Sequence, residues 1–140
     1  MIGNINQLLD NAGLRKTKGR ETILQLLYTQ NRPLAHQEII ARKCISKYNR
    51  VTIYRILETL QKVGLLHKIL GSDGVWRFCI HKHTKGKKCG GNHIHFFCSE
   101  CNQMSCMPEQ SLPWINPPKG AKIISKQLVV HGVCANCLNF

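Results

Sequence analysis

Two cysteine pairs constrain this chain more than anything else in it: Cys98-Ser-Glu-Cys101 and Cys134-Ala-Asn-Cys137, with 32 residues between them. Two residues between thiols let a tight turn present both sulfurs to one ion, and a second such turn completes a tetrahedron. Four sulfurs at about 2.3 Å are what zinc takes in a closed structural site, which supplies folding energy and leaves no position for a reactive water. The competing explanation is two disulfides or unrelated thiols. Reduced thiols are expected because the chain reads as cytoplasmic. Its start, Met1-Ile2-Gly3-Asn4-Ile5-Asn6, has no basic stretch followed by an apolar run. No window approaches about 18 apolar residues, so no membrane span is expected. A small C-terminal part with few apolar residues needs a metal staple of this kind.

Every cysteine but Cys44 lies beyond residue 78, while helical periodicity lies before residue 65. The two parts therefore predict different structures. Ile5, Leu8, Leu9 and Ala12 follow an amphipathic helix that Gly13 stops. Thr17 is placed to cap a second helix carrying Ile23, Leu24, Leu26 and Leu27, which Asn31-Arg32-Pro33 ends. Leu34 to Cys44 reads as a short third helix, weakly started because Ala35 stands where a capping side chain belongs. Asn49 opens a fourth helix to Val63, with Ile53, Ile56, Leu57, Leu60 and Val63 on one face and Thr52, Arg55, Thr59 and Lys62 opposite.

Leu65–Leu70 and Val75–Ile80 read as strands joined by Gly71-Ser-Asp-Gly74, a hairpin turn. Helices followed by a hairpin make a winged helix. The expected division is a winged helix-turn-helix domain over 1–81, a basic, glycine-rich linker over 82–92, and a zinc-binding domain over 93–140. In that last part His93–Phe97 and Lys122–Val130 read as strands, and the prolines between them leave room for one helical turn at most. The fold class is α+β.

A second group of donors is looser. His93-Ile-His95 on a strand places both imidazoles on one face. Cys79 ends the second wing strand, His67 lies on the first, and Cys106 follows Cys101 by five residues; His81, His83 and Cys89 are near in sequence. A mixed sulfur and nitrogen set suits one more borderline ion. Ordinary surface histidines and buried cysteines are the alternative.

Lys and Arg number 20 against 7 Asp and Glu, a formal charge of +13. Such a chain suits phosphate, as nucleic acid or an anionic surface. Asn49-Arg-Val-Thr-Ile-Tyr-Arg55 opens the fourth helix with groups that read base edges and clasp phosphates in a major groove, namely Arg50, Thr52, Tyr54 and Arg55. Arg15, Lys16, Lys18 and Arg20 add a basic patch before the second helix. A solvated helix face is the alternative. Catalysis is not expected: the His-x-Glu and Pro-Cys-x-x-Cys of zinc deaminases are absent, and only 7 acidic residues are present.

Taken together, Gly13-Leu14-Arg15-Lys16-Thr17 with Arg20, Val51-Thr52-Ile53-Tyr54-Arg55-Ile56-Leu57 with Leu60 and Gly64-Leu65, His93 through Cys101, and His131 through Cys137 resemble the ferric-uptake-regulator family of metal-responsive repressors. The resemblance covers nearly the whole chain. It implies a winged helix, a C-terminal dimerisation domain and a homodimer on a palindromic operator in double-stranded DNA. It also implies DNA contacts from Arg15, Lys16, Thr17 and Arg20 beside those of the fourth helix. In the family the loaded regulatory metal fixes a DNA-competent arrangement. Zinc-uptake members keep a cysteine near the end of the wing, a ligand on the first wing strand and a histidine before the first cysteine pair. Cys79, His67, and His93 or His95 occupy the matching positions. Two zinc ions are therefore expected, one structural and one regulatory. The second site of the iron and peroxide sensors is expected to be absent, because Asn92 and Ile94 alternate with the two histidines and Pro113 and its neighbours replace a helix. Cys106 stands where the family usually has Glu, which makes the regulatory set richer in sulfur. The remaining alternatives are an iron-, nickel- or redox-sensing regulator of the same family, and an RNA-binding zinc-ribbon protein.

Overall fold

The computed structural model describes residues 5–80, 93–124 and 126–139; the expected linker at 82–92, with His83 and Cys89 in it and His81 before it, lies outside the described residues. The side chains of His93 and of residues 108–111 are likewise outside. Helix α1 (Ile5–Asn11) buries Ile5 and Leu9, and Gly13 turns the chain at φ 71°. Helix α2 (Lys18–Gln30) starts where the Thr17 hydroxyl accepts from the Arg20 N–H at 3.3 Å and ends at Asn31, in the left-handed region at φ 54°. A side-chain cap at the start, and a left-handed residue whose N–H donates to the Leu27 carbonyl at the end, explain the two limits.

The third helix differs from its sequence expectation. Leu34–Ala35 form a short strand, β1, α3 spans only His36–Ile40, and a 3₁₀ turn follows at Lys43–Ile45. Ala35 has no acceptor to cap with; instead its N–H donates to the Glu38 carboxylate at 3.0 Å. Its extended backbone pairs in a sheet. Helix α4 (Arg50–Lys62) is capped by Asn49, whose side chain accepts from the Thr52 N–H at 2.8 Å, and Gly64 at φ 84° follows its end. Ile53, Leu57 and Leu60 of α4 close a core with Ile23, Leu24, Leu27, Leu34 and Ile39.

Strands β2 (Leu66–Leu70) and β3 (Trp76–Ile80) form the wing hairpin, and β1 adds to β3 in an antiparallel sheet of order β1-β3-β2. The wing is buried on both faces. Leu66, Phe78 and Ile80 face the helical core. Ile69 and Cys79, from the other face, pack with Phe97, Met104 and Val129 of the C-terminal part.

That part is a second sheet of order β5-β4-β6, built from β4 (His93–Cys98), β5 (Met104–Ser111) and β6 (Val129–Gly132), with a short α5 (Ala135–Leu138) after it. Strand β5 is antiparallel to β4, and β6 is parallel to it. Two sequence expectations are corrected here. The strand expected over Lys122–Val130 is replaced by one at Val129–Gly132, and β5 occupies part of the proline-containing connection, for which at most one helical turn and no strand was expected. Proline removes a ladder donor but is tolerated at a sheet edge, and β5 is an edge strand. The architecture is α+β: a winged helix-turn-helix followed by a small sheet that carries the paired cysteines. Among the described residues no helix is long and apolar enough to cross a membrane.

Candidate metal centres and nucleic-acid face

The parallel pairing of β4 and β6 places their C-terminal ends at one edge of the sheet. Cys98 closes β4, its register partner is Gly132, and Cys134 comes two residues later. The first cysteine turn is folded by Asn102, at φ 59°, whose N–H donates to the Cys98 carbonyl at 2.9 Å. It is tied to the second by the Ser99 N–H on the Gly132 carbonyl at 2.8 Å. The sulfurs of Cys98 and Cys137 are 3.8 Å apart and those of Cys101 and Cys134 3.9 Å, with all four within 4.8 Å of one another. These are not disulfide distances, which are about 2.05 Å. They match the edge of roughly 3.8 Å that a tetrahedron has when its metal–sulfur bonds are about 2.3 Å.

Electrostatics points the same way. The Cys98 thiol is pulled down to about 6, first by the Cys101 backbone N–H and then by that of Cys134, which lies 3.3 Å from its sulfur. Cys137 is pushed up to about 12 by its contact with Cys134 and by burial. One thiolate forms readily while its neighbour resists, which is the balance a dication at the centre resolves. The four residues fit a structural zinc.

The second cluster draws on both sheets. His67 on β2 and Cys79 on β3 are register partners, and His95 on β4 reaches them from the C-terminal part. Their ligand atoms all lie within 4.8 Å of one another. His95 is 2% exposed, and its ring centroid is 5.7 Å from that of His67. Two imidazoles and a thiol are a donor set for a borderline ion such as zinc. Cys106 is the register partner of His95 on β5 but is outside this three-residue set. The backbone of His93 belongs to β4, two residues from His95; its side chain is not described.

Arg50, Tyr54 and Arg55 are exposed on α4, and Thr52 is half-buried. Arg15, Lys16 and Thr17 are exposed in the turn before α2, where the half-buried Arg20 donates to the Arg15 carbonyl at 2.6 Å and Lys16 pairs with Asp10 at 3.1 Å. The Thr17 hydroxyl is engaged as the helix cap.

Two residues escaped sequence reasoning. His36 is buried with its ring centroid 3.8 Å from that of Tyr54, nearly stacked. Burial first, then the Arg50 charge, keep it below the usual histidine range and hence neutral. Arg77 is 3% exposed and binds Asp73 through both nitrogens, at 2.9 and 2.8 Å. Neither stands in a spacing that announces a role.

Residues 11–131 match the Ferric uptake regulator family. A "Ferric uptake regulation protein" of Synechococcus elongatus is 29% identical over 140 residues, covering 92% of this chain and 89% of its own. Among solved structures, the Vibrio cholerae ferric uptake regulator superposes with a TM-score of 0.64 at 20% identity, over 94% of this chain and 100% of that one. A zinc uptake regulator complexed with zinc and DNA superposes with a TM-score of 0.67 at 17% identity, over 96% of this chain and 90% of that one. With a winged helix, a four-thiolate turn pair and a match over most of its length, the chain belongs to the Ferric uptake regulator family, whose members are metal-responsive transcription regulators that bind DNA and are not enzymes.

Proposed function

We propose that this chain is a zinc-responsive repressor of metal-uptake genes, acting as a homodimer on palindromic operators when its regulatory site is loaded. The observation that carries this is the meeting of His67, Cys79 and His95 from two separate sheets within 4.8 Å. In this reading residues 1–81 bind DNA, 82–92 form the hinge and 93–140 dimerise. Zinc supplies a template of fixed geometry that all three donors satisfy only when the wing and β4 lie together. Cys106 and His93 are the candidates to complete the set: Cys106 sits opposite His95 across the ladder, and His93 precedes His95 by two residues. Cys98, Cys101, Cys134 and Cys137 hold the structural zinc.

The DNA-facing residues are Arg15, Lys16, Thr17 and Arg20 before α2, with Arg50, Thr52, Tyr54 and Arg55 on α4. Lysine and arginine contacts to phosphate set the register; Tyr54 and Arg55 reach base edges. Restricting the hinge selects the geometry that spans two half-sites, which asks for a coupling of about 1–3 kcal/mol.

Iron is the competing ion, because the relatives bear the name of ferric regulators. The thiolate of Cys79 favours zinc over iron, since soft donors select it. Cys79→Ser decides the matter: the variant keeps one zinc per chain and its fold, and loses the zinc dependence of binding to an operator fragment in a gel-shift titration. Unchanged zinc dependence overturns the sensing site. Wild-type binding that responds to ferrous iron but not to zinc overturns the choice of ion.

A further inference from the structure

The surface joining the wing to the C-terminal sheet contains a polar connection that uses no metal ligand. Arg77 occupies β3 two residues before Cys79, so both side chains leave the same face of the strand. Its guanidinium is held by Asp73 in the wing turn at 2.9 and 2.8 Å, and one of its nitrogens also donates to the Asn102 carbonyl at 2.8 Å. It lies 5.0 Å from the centre of the buried Phe97 ring on β4. Room for it exists because residue 71 is glycine: a β-carbon there would run into the Arg77 guanidinium and the Asp73 carboxylate. A buried, bidentate arginine has one orientation, so its third contact fixes position as well as adding energy.

The far end of this connection is informative. Asn102 follows Cys101, and its left-handed backbone is what closes the first cysteine turn. Arg77 therefore grips the turn that the four-thiolate site shapes, while Cys79 and His67 on the same hairpin face His95 of the strand that leads into that turn.

We propose that Arg77 is a positioning residue that latches the wing onto the cysteine turn, so that the filled four-thiolate site pre-assembles His67, Cys79 and His95 and sets their affinity for the regulatory ion. This rests on the reading of those three residues as the regulatory site. The physical basis is that apparent affinity scales with the fraction of molecules already in the binding arrangement. The coupling is reciprocal: filling the regulatory site steadies the turn and slows loss of the structural ion.

The test uses the full chain carrying one zinc at the four-thiolate site, with a chromophoric chelator competing for the second equivalent. Arg77→Lys keeps the charge but cannot hold Asp73 and Asn102 together, and it weakens the second zinc about tenfold, within the usual range of coupling between sites. X-ray scattering of the one-zinc form is the readout free of the second ion: wild type is compact and Arg77→Lys expanded. Asp73→Asn, in the exposed wing turn, moves both readouts in the same direction by less, and serves if Arg77→Lys fails to fold. Leu60→Ala, in the helical core, lowers the thermal midpoint without moving the second-zinc affinity, which separates positioning from general weakening. A folded Arg77→Lys with wild-type affinity and wild-type scattering overturns the latch. A wild-type chain that takes up only one zinc overturns the regulatory site itself, a result distinct from the first.

Discussion

His36 and Asp73 each tie stability or binding to pH, in directions their surroundings dictate. His36 is held neutral by burial and by Arg50, so its folded value lies below the unfolded one of about 6.5. The stability it contributes is fully present above that pH and is lost as pH falls through the folded value. Replacing it by phenylalanine retains the stacking against Tyr54 and removes that acid sensitivity, which thermal melts at pH 7 and pH 5.5 will show. Asp73 is held below the usual carboxylate range by hydrogen bonds from Arg77. Its contribution is present above about pH 3.9 and disappears as pH drops through the lowered value. Asp73→Asn should cost about 2 kcal/mol near neutral pH, with the gap from wild type closing in acid. At this scale the clustering of Cys98, Cys101, Cys134 and Cys137 was legible in the sequence, because two paired turns of that spacing are what a shared ion requires. Arg77 was not, because its burial depends on the Asn102 carbonyl reaching it from a turn distant in sequence, and no local pattern records that contact.

Helix ends were legible wherever a side chain does the capping. Thr17 and Asn49 both accept the backbone N–H three residues on, as their types predict. Asn49→Ala should remove about 1 kcal/mol from α4, read as a lower denaturation midpoint with an unchanged slope. Leu57, fully buried on the same helix, should cost about 2–5 kcal/mol as Leu57→Ala. Strand β5 was missed for a physical reason: Met104-Ser-Cys-Met-Pro lacks β-branched residues and carries a proline, and it extends only because β4 offers it a partner. The parallel strand β6 was placed too early, since pairing with β4 and the approach to Cys134 fix where it runs. Local propensity yields to tertiary pairing in both.

For the whole molecule, metal removal should proceed in two stages. On the proposed reading, mild chelation should take the regulatory ion and leave a folded chain with one bound ion and weakened DNA binding. Stronger chelation empties the four-thiolate site, and amide exchange then rises in residues 93–139 before it rises in the helical core. Cys98→Ser should reproduce the second stage directly, because its sulfur is both a member of the four-sulfur cluster and the acceptor for the Cys134 N–H. Simultaneous loss of protection across both parts would contradict this order.

Strand β3 belongs to two interiors at once. Phe78 and Ile80 are held by the helices, while Arg77 and Cys79 turn toward the neighbouring sheet. Damage along it should thus follow a two-residue rhythm. Changes at the even positions, 78 and 80, will yield protein that is degraded or insoluble; changes at the odd ones, 77 and 79, will yield abundant protein whose DNA binding answers the wrong concentration of ion.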